Sequence, residues 1–470
     1  GLGDVYKRQI DTSTEQDVAG GGYNHWATAG FFGGLNYNYK EKYLLEVNGR
    51  YDGTSRFMKD QRWNFFPSFS LGWNVARENF WKPLESVVNQ FKLRGSWGEL
   101  GNQNTSNLYP FYEILPVKSN SGNWLVNGGK TNTADIPSLV STLLTWERVR
   151  SFNVGFDFGA FSNRLTGSFD YFVRKTVDMV GPAPQLPLVL GIAPAIVNNA
   201  DMKSYGFEIE LSWRDRIGEV DYGVKFNLAD AQQKVVKYPN TTNAFSDWYA
   251  GKMSGEIWGY TSLGIAKTDE EMKEHLASLP NGGQNQLGNK WGAGDIMYAD
   301  INGDGKVDGG KGTLADPGDQ RIIGNSTPRY NFGLVLDASY KGFDVSIFFQ
   351  GVGKRDYAPI VGTNGAVFWG AVNNIWQSMA MEEHFDYFRP EGHPMGANLN
   401  GYYPRPDFTS NKNHQVQTRY LQDASYIRLK NLQIGYTLPK QWINKLHINR
   451  CRVYVLSLIH ISEPTRPLYI

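Results

Sequence analysis

The residues with the clearest chemical pattern lie between positions 300 and 308: Asp300, Asn302, Asp304, Lys306 and Asp308, with Gly305 at the sixth place of the run. Oxygen side chains at places 1, 3 and 5, a glycine for the sharp turn at 6, a backbone carbonyl at 7 (Lys306) and a carboxylate at 9 make the spacing with which a loop wraps Ca2+. Place 12 is Lys311 where such a loop carries a bidentate Glu, so Asp316 or Asp319 would have to close the shell. The other reading is a turn whose Asp and Asn side chains bond to their own backbone. Both readings make the segment a staple within a loop, and neither implies catalysis.

A second set of residues is aromatic. Trp124, Trp248, Trp258, Trp291, Trp369, Trp376, Tyr402 and Tyr403 fall in long connections, where their rings could stack on the C–H faces of sugars or bind peptides. Packing of loop on loop would account for the same residues. Enzyme signatures fail. Gly128-Gly129-Lys130-Thr131 mimics the end of a phosphate loop, but Trp124 stands where its leading glycine belongs. There is no G-x-S-x-G, Glu382-Glu383-His384 lacks the second His of a zinc helix, and no two of the seven histidines have ligand spacing. The chain is expected not to be an enzyme.

The elements that must carry these residues are strands. For roughly 8 to 11 residues at a time, about a dozen times over, apolar or aromatic residues alternate with Gly, Asn, Ser, Asp or Lys. Phe69, Leu71, Trp73 and Val75 share one face with Ser68, Ser70, Gly72 and Asn74 on the other. The split recurs at Phe152/Val154/Phe156/Phe158, at Phe207/Ile209/Leu211/Trp213 and at Tyr330/Phe332/Leu334/Leu336. A soluble all-β protein also alternates, so the loops decide. Tight turns at 40–42, 160–163, 215–219 and 341–342 interleave with long connections at 100–145, 177–203, 234–327 and 352–424. Short turns on one rim and long loops on the other define an outer-membrane barrel. Only the connection at 77–90 falls on the short rim yet is longer.

Composition sets bounds. The 47 basic and 46 acidic residues in 470 give no long-range attraction to nucleic acid. Aromatics at 14% and 52 glycines suit interfacial girdles and a lumen wall of small side chains. No apolar run reaches the ~18 residues of a membrane helix, and the nearest, 186–197, is broken by Pro187 and Pro194. The one cysteine, Cys451, forms no internal disulfide. In the longest loop, Thr268 with Glu271 makes a capping box and Met272, Leu276 and Leu279 share a face, which predicts a short helix packed on the loop layer. The ends stand apart: residues 1–9 and 456–470 show no strand pattern and resemble read-through of sequencing-adapter DNA, so the barrel is assigned to 10–455 and the chain is expected to be an internal fragment.

Six runs in order, YKEKYLLEVNGRYDGTSRF (39–57), RWNFFPSFSLGWNVARENF (62–80), FKLRGSWGELGNQ (91–103), WERVRSFNVGFDFGAFSNRLTGSFDYFVRKTVDM (146–179), IMYADINGDGKVDG (296–309) and SYIRLKNLQIGYTLP (425–439), resemble SusC/RagA-type TonB-dependent outer-membrane transporters of Bacteroidota. The resemblance implies an all-β fold: a transmembrane antiparallel barrel of which this chain supplies about 12 strands, with a plug domain and TonB-contacting segment in the missing N-terminal part. It further implies import of a bulky glycan or peptide together with a SusD-like surface lipoprotein. The lumen residues Asn48, Arg50, Lys92, Arg94, Glu208, Glu210, Arg428 and Lys430 would then face plug and cargo. A passive porin or structural adhesin barrel, and a soluble carbohydrate-binding all-β protein, are the competing readings.

Overall fold

The computed structural model describes residues 24–105, 107–137, 139–181, 189, 191–192, 194–359, 368–370, 381–407, 412–443 and 448–457. Twelve long strands form one sheet in strict chain order, each antiparallel to the next. They are β1 (Thr28–Tyr39), β2 (Tyr43–Thr54), β3 (Trp63–Asn74), β4 (Val88–Asn102), β5 (Glu147–Ala160) and β6 (Leu165–Val180). The series continues with β7 (Asn198–Ile217), β8 (Val220–Lys237), β9 (Arg329–Tyr340), β10 (Phe343–Lys354), β11 (Tyr426–Thr437) and β12 (Arg452–Ser457). The outermost strands are β1 and β12, so among the described residues the sheet is an open wall. The last strand pairs through Leu456 and Ser457, opposite Gln433 and Leu432, two residues past the break expected at 456. The rest of both suspect ends lies outside the described residues.

Register converts the alternating pattern into two continuous surfaces. Leu35, Val47, Phe69, Trp97, Phe152, Val173 and Tyr205 are successive cross-strand partners from β1 to β7. On the opposite face Lys92, Asp157, Ser168, Glu210, Asn227, Gly333, Gln350 and Arg428 run from β4 to β11. A one-residue slip at any strand would carry its whole apolar set to the wrong side. The apolar face is bare: Phe31 is 69% and Leu71 58% exposed. Such a contiguous patch is too large for a surface that meets water, so this face meets lipid.

Two aromatic girdles bound that face. At one end Tyr39, Tyr43 and Trp73 stack, with ring centroids 6.5 Å apart in each pair. At the other, Trp63 stacks on Tyr51 at 5.1 Å and on Phe31 at 6.2 Å. Tyr43 and Tyr51 lie on the same strand. At about 3.4 Å per residue the distance between them is roughly 27 Å, which a tilt of about 40° reduces to roughly 20 Å along the membrane normal.

The short connections gather on the girdle side of Tyr43. Lys341 and Gly342, both at positive φ (46° and 91°), make the two-residue turn whose twist matches the strands. Two connections on this rim are longer, not the single one expected: 438–451 between β11 and β12, and the one between β3 and β4, which is filled by 3-10 turns at Val75–Arg77 and Asn79–Leu84, with Trp81 stacked on Phe91 at 5.2 Å. Glu78 ties it down, accepting from Lys42 Nζ (2.9 Å), Tyr43 Oη (2.7 Å) and Trp73 Nε1 (3.2 Å). These three donors hold its carboxyl down at about 2, against a usual 4.5. The stabilisation is therefore complete above pH 4.5 and lost as pH falls towards about 2. In the full-length barrel, Glu78→Gln is expected to abolish the acid sensitivity of this rim over that window, read by amide exchange at 42–43 and 73–81. A lipid-facing charge is the harsher test. Phe69→Arg should cost about 2–4 kcal/mol in urea titrations in lipid vesicles, against less than ~1 kcal/mol for Ser68→Arg on the other face.

Candidate functional site

The long loops stand on the opposite rim. The described residues of two of them, 238–328 and 355–425, fold into one module with a shared core of Tyr260, Leu279, Ile296, Tyr298 and Val307 from the first and Trp369, Tyr403 and Tyr420 from the second. The expected helix is present as α1 (Asp269–Ala277), Thr268 accepting from the Glu271 amide at 3.1 Å and Met272 buried. Glu271 reaches back to the Lys267 amide (2.6 Å), one residue before the cap.

The module is locked by a buried charge cluster. Asp295 is fully buried and accepts from Arg405 Nε (2.8 Å) and Nη2 (2.6 Å), Lys412 Nζ (2.9 Å), Asn413 Nδ2 (2.9 Å) and the Gly292 amide (2.9 Å). Gln284 and Gln417, also fully buried, extend the network through the Ile296 carbonyl (2.8 Å) and the Tyr298 hydroxyl (3.2 Å). An unpaired carboxylate here would be prohibitively costly, and five donors compensate it. None of these residues stands out in sequence, because partners 110 or more positions apart leave no local spacing to read.

The aromatic candidates separate by environment. Trp369 and Tyr403 are buried in the module core; Tyr402 packs against it at 5.0 Å from Tyr403, and Trp291 packs beside Tyr298 at 6.4 Å under the Lys412 ammonium. Trp258 stacks on Phe245 at 4.5 Å, and Trp248 sits edge-on to Tyr238 at 5.9 Å. Trp124 alone among those described is open, at 59% exposure, beside a small hairpin in which Leu125–Val126 pairs with Gly129–Lys130. That hairpin is also where the apparent phosphate-loop residues lie. Trp376 lies outside the described residues.

The 300–308 loop is hydrogen-bonded into itself. Asp300 accepts from the amides of Gly303 (2.6 Å) and Gly305 (2.8 Å), Asn302 from that of Asp304 (2.9 Å), and Asp304 from that of Lys306 (3.1 Å). The Lys306 ammonium pairs with Asp308 and lies 3.7 Å from Asp304. Asp319 does close on the loop, but by accepting the amides of Ile301 and Asp308, each at 2.7 Å. Ca2+ would have to compete with these donors. No group of three or more metal-ligating side chains converges among the described residues.

On the charged inner face Arg94 makes a two-pronged pair with Asp157, both bonds 2.9 Å, and a third bond to Asp170 at 2.9 Å. Arg428 and Lys430 share Gln350, at 3.0 and 3.3 Å, and Arg50 bonds Asp52 at 3.1 Å. Asn48, Lys92, Glu208 and Glu210 take the same face by register.

One antiparallel wall with a lipid-facing belt between girdles, a charged inner face and its large loops on one rim defines a transmembrane β-barrel of outer-membrane type. The chain belongs to the TonB-dependent receptor-like β-barrel family, whose model matches residues 4–455. It is similar to TonB-dependent receptor P3 of Formosa agariphila, 29% identical over 442 residues that make up 90% of this chain and 40% of that protein. It is also similar to TonB-dependent receptor SusC of Bacteroides thetaiotaomicron, 24% identical with 88% of this chain and 38% of that protein covered. The structure of the RagAB peptide transporter shares the fold, with a TM-score of 0.70 at 21% identity over 92% of this chain and 43% of that one. The chain thus spans about two fifths of the length of the curated relatives it matches. It is an outer-membrane β-barrel of the TonB-dependent receptor-like family.

Two outcomes follow for the loop module. Asp295→Ala takes from the buried Lys412 its nearest carboxylate, leaving it the Lys290 carbonyl at 3.0 Å and Asp407 at 3.7 Å, and should cost up to about 3–5 kcal/mol of module stability, seen as faster amide exchange at 292–298 and 412–417 with the barrel strands unchanged. His414 lies 4.3 Å from Trp369 with neither ring nitrogen hydrogen-bonded, and burial pushes its imidazole down to about 4 from 6.5. The folded module therefore resists protonation, so its stability is full above pH 6.5 and falls as pH drops towards 4. His414→Phe should flatten that dependence in the same exchange measurement.

Proposed function

We propose that this chain is the later part of the barrel of an importer that carries a bulky nutrient, an oligosaccharide or a peptide, across the outer membrane. The observation that supports this reading most is the family match along nearly the whole barrel, joined to a charged inner wall and a folded module of loops on one rim. In this proposal the loops and a SusD-like surface lipoprotein capture the cargo between them. A plug in the N-terminal part of the full-length protein closes the lumen until TonB pulls on it. Trp124 is the aromatic residue proposed to meet cargo, because its ring is accessible. For the 300–308 loop the proposed role is a staple, with Ca2+ as an additional tie that would displace Lys306 from Asp308.

The test uses the full-length receptor in its own cells. Deleting its gene should remove uptake of fluorescent oligosaccharides or peptides, and a protonophore should do the same in the wild type. Uptake that needs the gene and persists without the proton gradient would instead indicate a passive pore. Calcium titration checks the staple: slower exchange of amides 301–310 on adding Ca2+ supports metal binding, and no change at millimolar Ca2+ leaves the hydrogen-bonded turn as the whole staple.

A further inference from the structure

The inner wall contains a repeated device built from glycine. Gly155 on β5 lies opposite Arg94 on β4 and opposite Asp170 on β6. Its two neighbours belong to strands that are next-nearest to each other, roughly 9.5–10 Å apart. The Arg94 guanidinium nevertheless meets Asp170 at 2.9 Å, and it does so over Gly155: a Cβ added there would overlap both the Asp170 carboxylate and the backbone carbonyl oxygen of Phe169 on the same strand. The same geometry recurs across the inner face. The Asp52 carboxylate fills the place of a Cβ on Gly30, the Asn48 amide does so on Gly34, and the Asn227 amide on Gly333, in each case from the directly paired position. In all four the polar side chain lies down across the neighbouring strand instead of rising from the wall.

We infer that Gly155, with Gly30, Gly34 and Gly333, is a positioning residue of the lumen: each is a recess that receives the facing polar side chain, and together they keep the inner wall low and the bore open. The polar residues supply the charge of the lumen, whereas the glycines decide how far that charge projects. A side chain at Gly30, Gly34 or Gly333 would displace the polar group lying over it and push that group into the bore, and at Gly155 it would meet the Phe169 carbonyl as well as the Asp170 carboxylate that Arg94 holds. On the lipid face the space over Gly33 and Gly95 is open, and where it is filled, at Gly49, Gly53, Gly167 and Gly351, aromatic rings rather than polar groups come nearest. This inference rests on the reading of the charged face as a transport lumen.

The experiment compares the full-length receptor carrying Gly333→Asn, the exchange variant Gly333→Asn with Asn227→Gly, and the lipid-facing control Gly95→Leu; Gly333 is chosen because only side chains, Asn227 and Phe348, face its missing Cβ. The exchange variant moves the amide to β9 and the recess to β8 within the same cross-strand pair. Three readouts are taken: folded barrel by heat-modifiable electrophoretic mobility, ion conductance in planar bilayers with urea present to unfold the plug, and uptake by cells. The single variant should lose at least tenfold in uptake and about half its conductance while remaining folded. The exchange variant should return to within twofold of wild type, and the control should match wild type throughout. If the single variant does not fold, recovery of folded barrel in the exchange variant supports the recess. A single variant that behaves as wild type, or an exchange variant no better than the single, overturns the inference. Should the wild-type receptor import nothing, the transport reading fails, and conductance and folding still decide the role of Gly333.

Discussion

In hydrocarbon an unpaired backbone N–H or C=O costs several kcal/mol, and the whole architecture answers to that constraint. Twelve strands joined in chain order satisfy it wherever each has two neighbours, leaving only the outer sides of β1 and β12 without a partner among the described residues. Every residue of β1 is exposed, which is what an edge strand shows when its wall is viewed apart from the rest of the barrel. Once backbone pairing is fixed, side chains have only two directions, and the period of two makes one surface for lipid and one for the lumen. The girdle stacks of Tyr43 with Trp73 and Tyr51 with Trp63, and the inner ion pairs of Arg94, are consequences of that single choice of register.

The loop module obeys a different economy. It sits outside the membrane and is held as a small soluble domain is, by an aromatic core and a compensated buried charge. Asp295 draws Arg405, Lys412 and Asn413 from the second loop onto the first, so the two connections behave as one body. Ordering so much chain is entropically costly, and the shared core of Tyr298, Trp369, Tyr403 and Tyr420 is what offsets it. A packed module of this kind can present one defined surface to cargo or to a partner, which separate flexible loops could not.

Much of the candidate site could be read locally and some of it could not. The Asp300 turn is largely local, since Asp300 and Asn302 accept from amides within five residues and the shape follows from the positions of Asp, Asn and Gly, with Asp319 closing it from farther along the chain. The helix beginning after Thr268 is legible for the same reason. The aromatic residues were ambiguous because stacking on cargo and stacking on a neighbouring loop require the same side chains. Burial separates them, placing Trp369 and Tyr403 in a core and leaving Trp124 exposed. The Asp295 cluster had no sequence signal, as its side-chain partners come from a different loop.

By itself the sequence determined the strands, their two faces, the sorting of short turns from long loops and the class of barrel, because each depends on neighbours one, two or a few residues away. Only the tertiary structure decided which residues meet across strands and loops. Gly155 is unremarkable in the chain and becomes a recess once Arg94 and Asp170 close over it. Lys412 reads as one more surface lysine until the fold buries it against Asp295. The physical reason is range: alternation and turn formation are encoded by adjacent residues, whereas the compensation of a buried charge and the sharing of space between strands exist only after distant segments have been brought together.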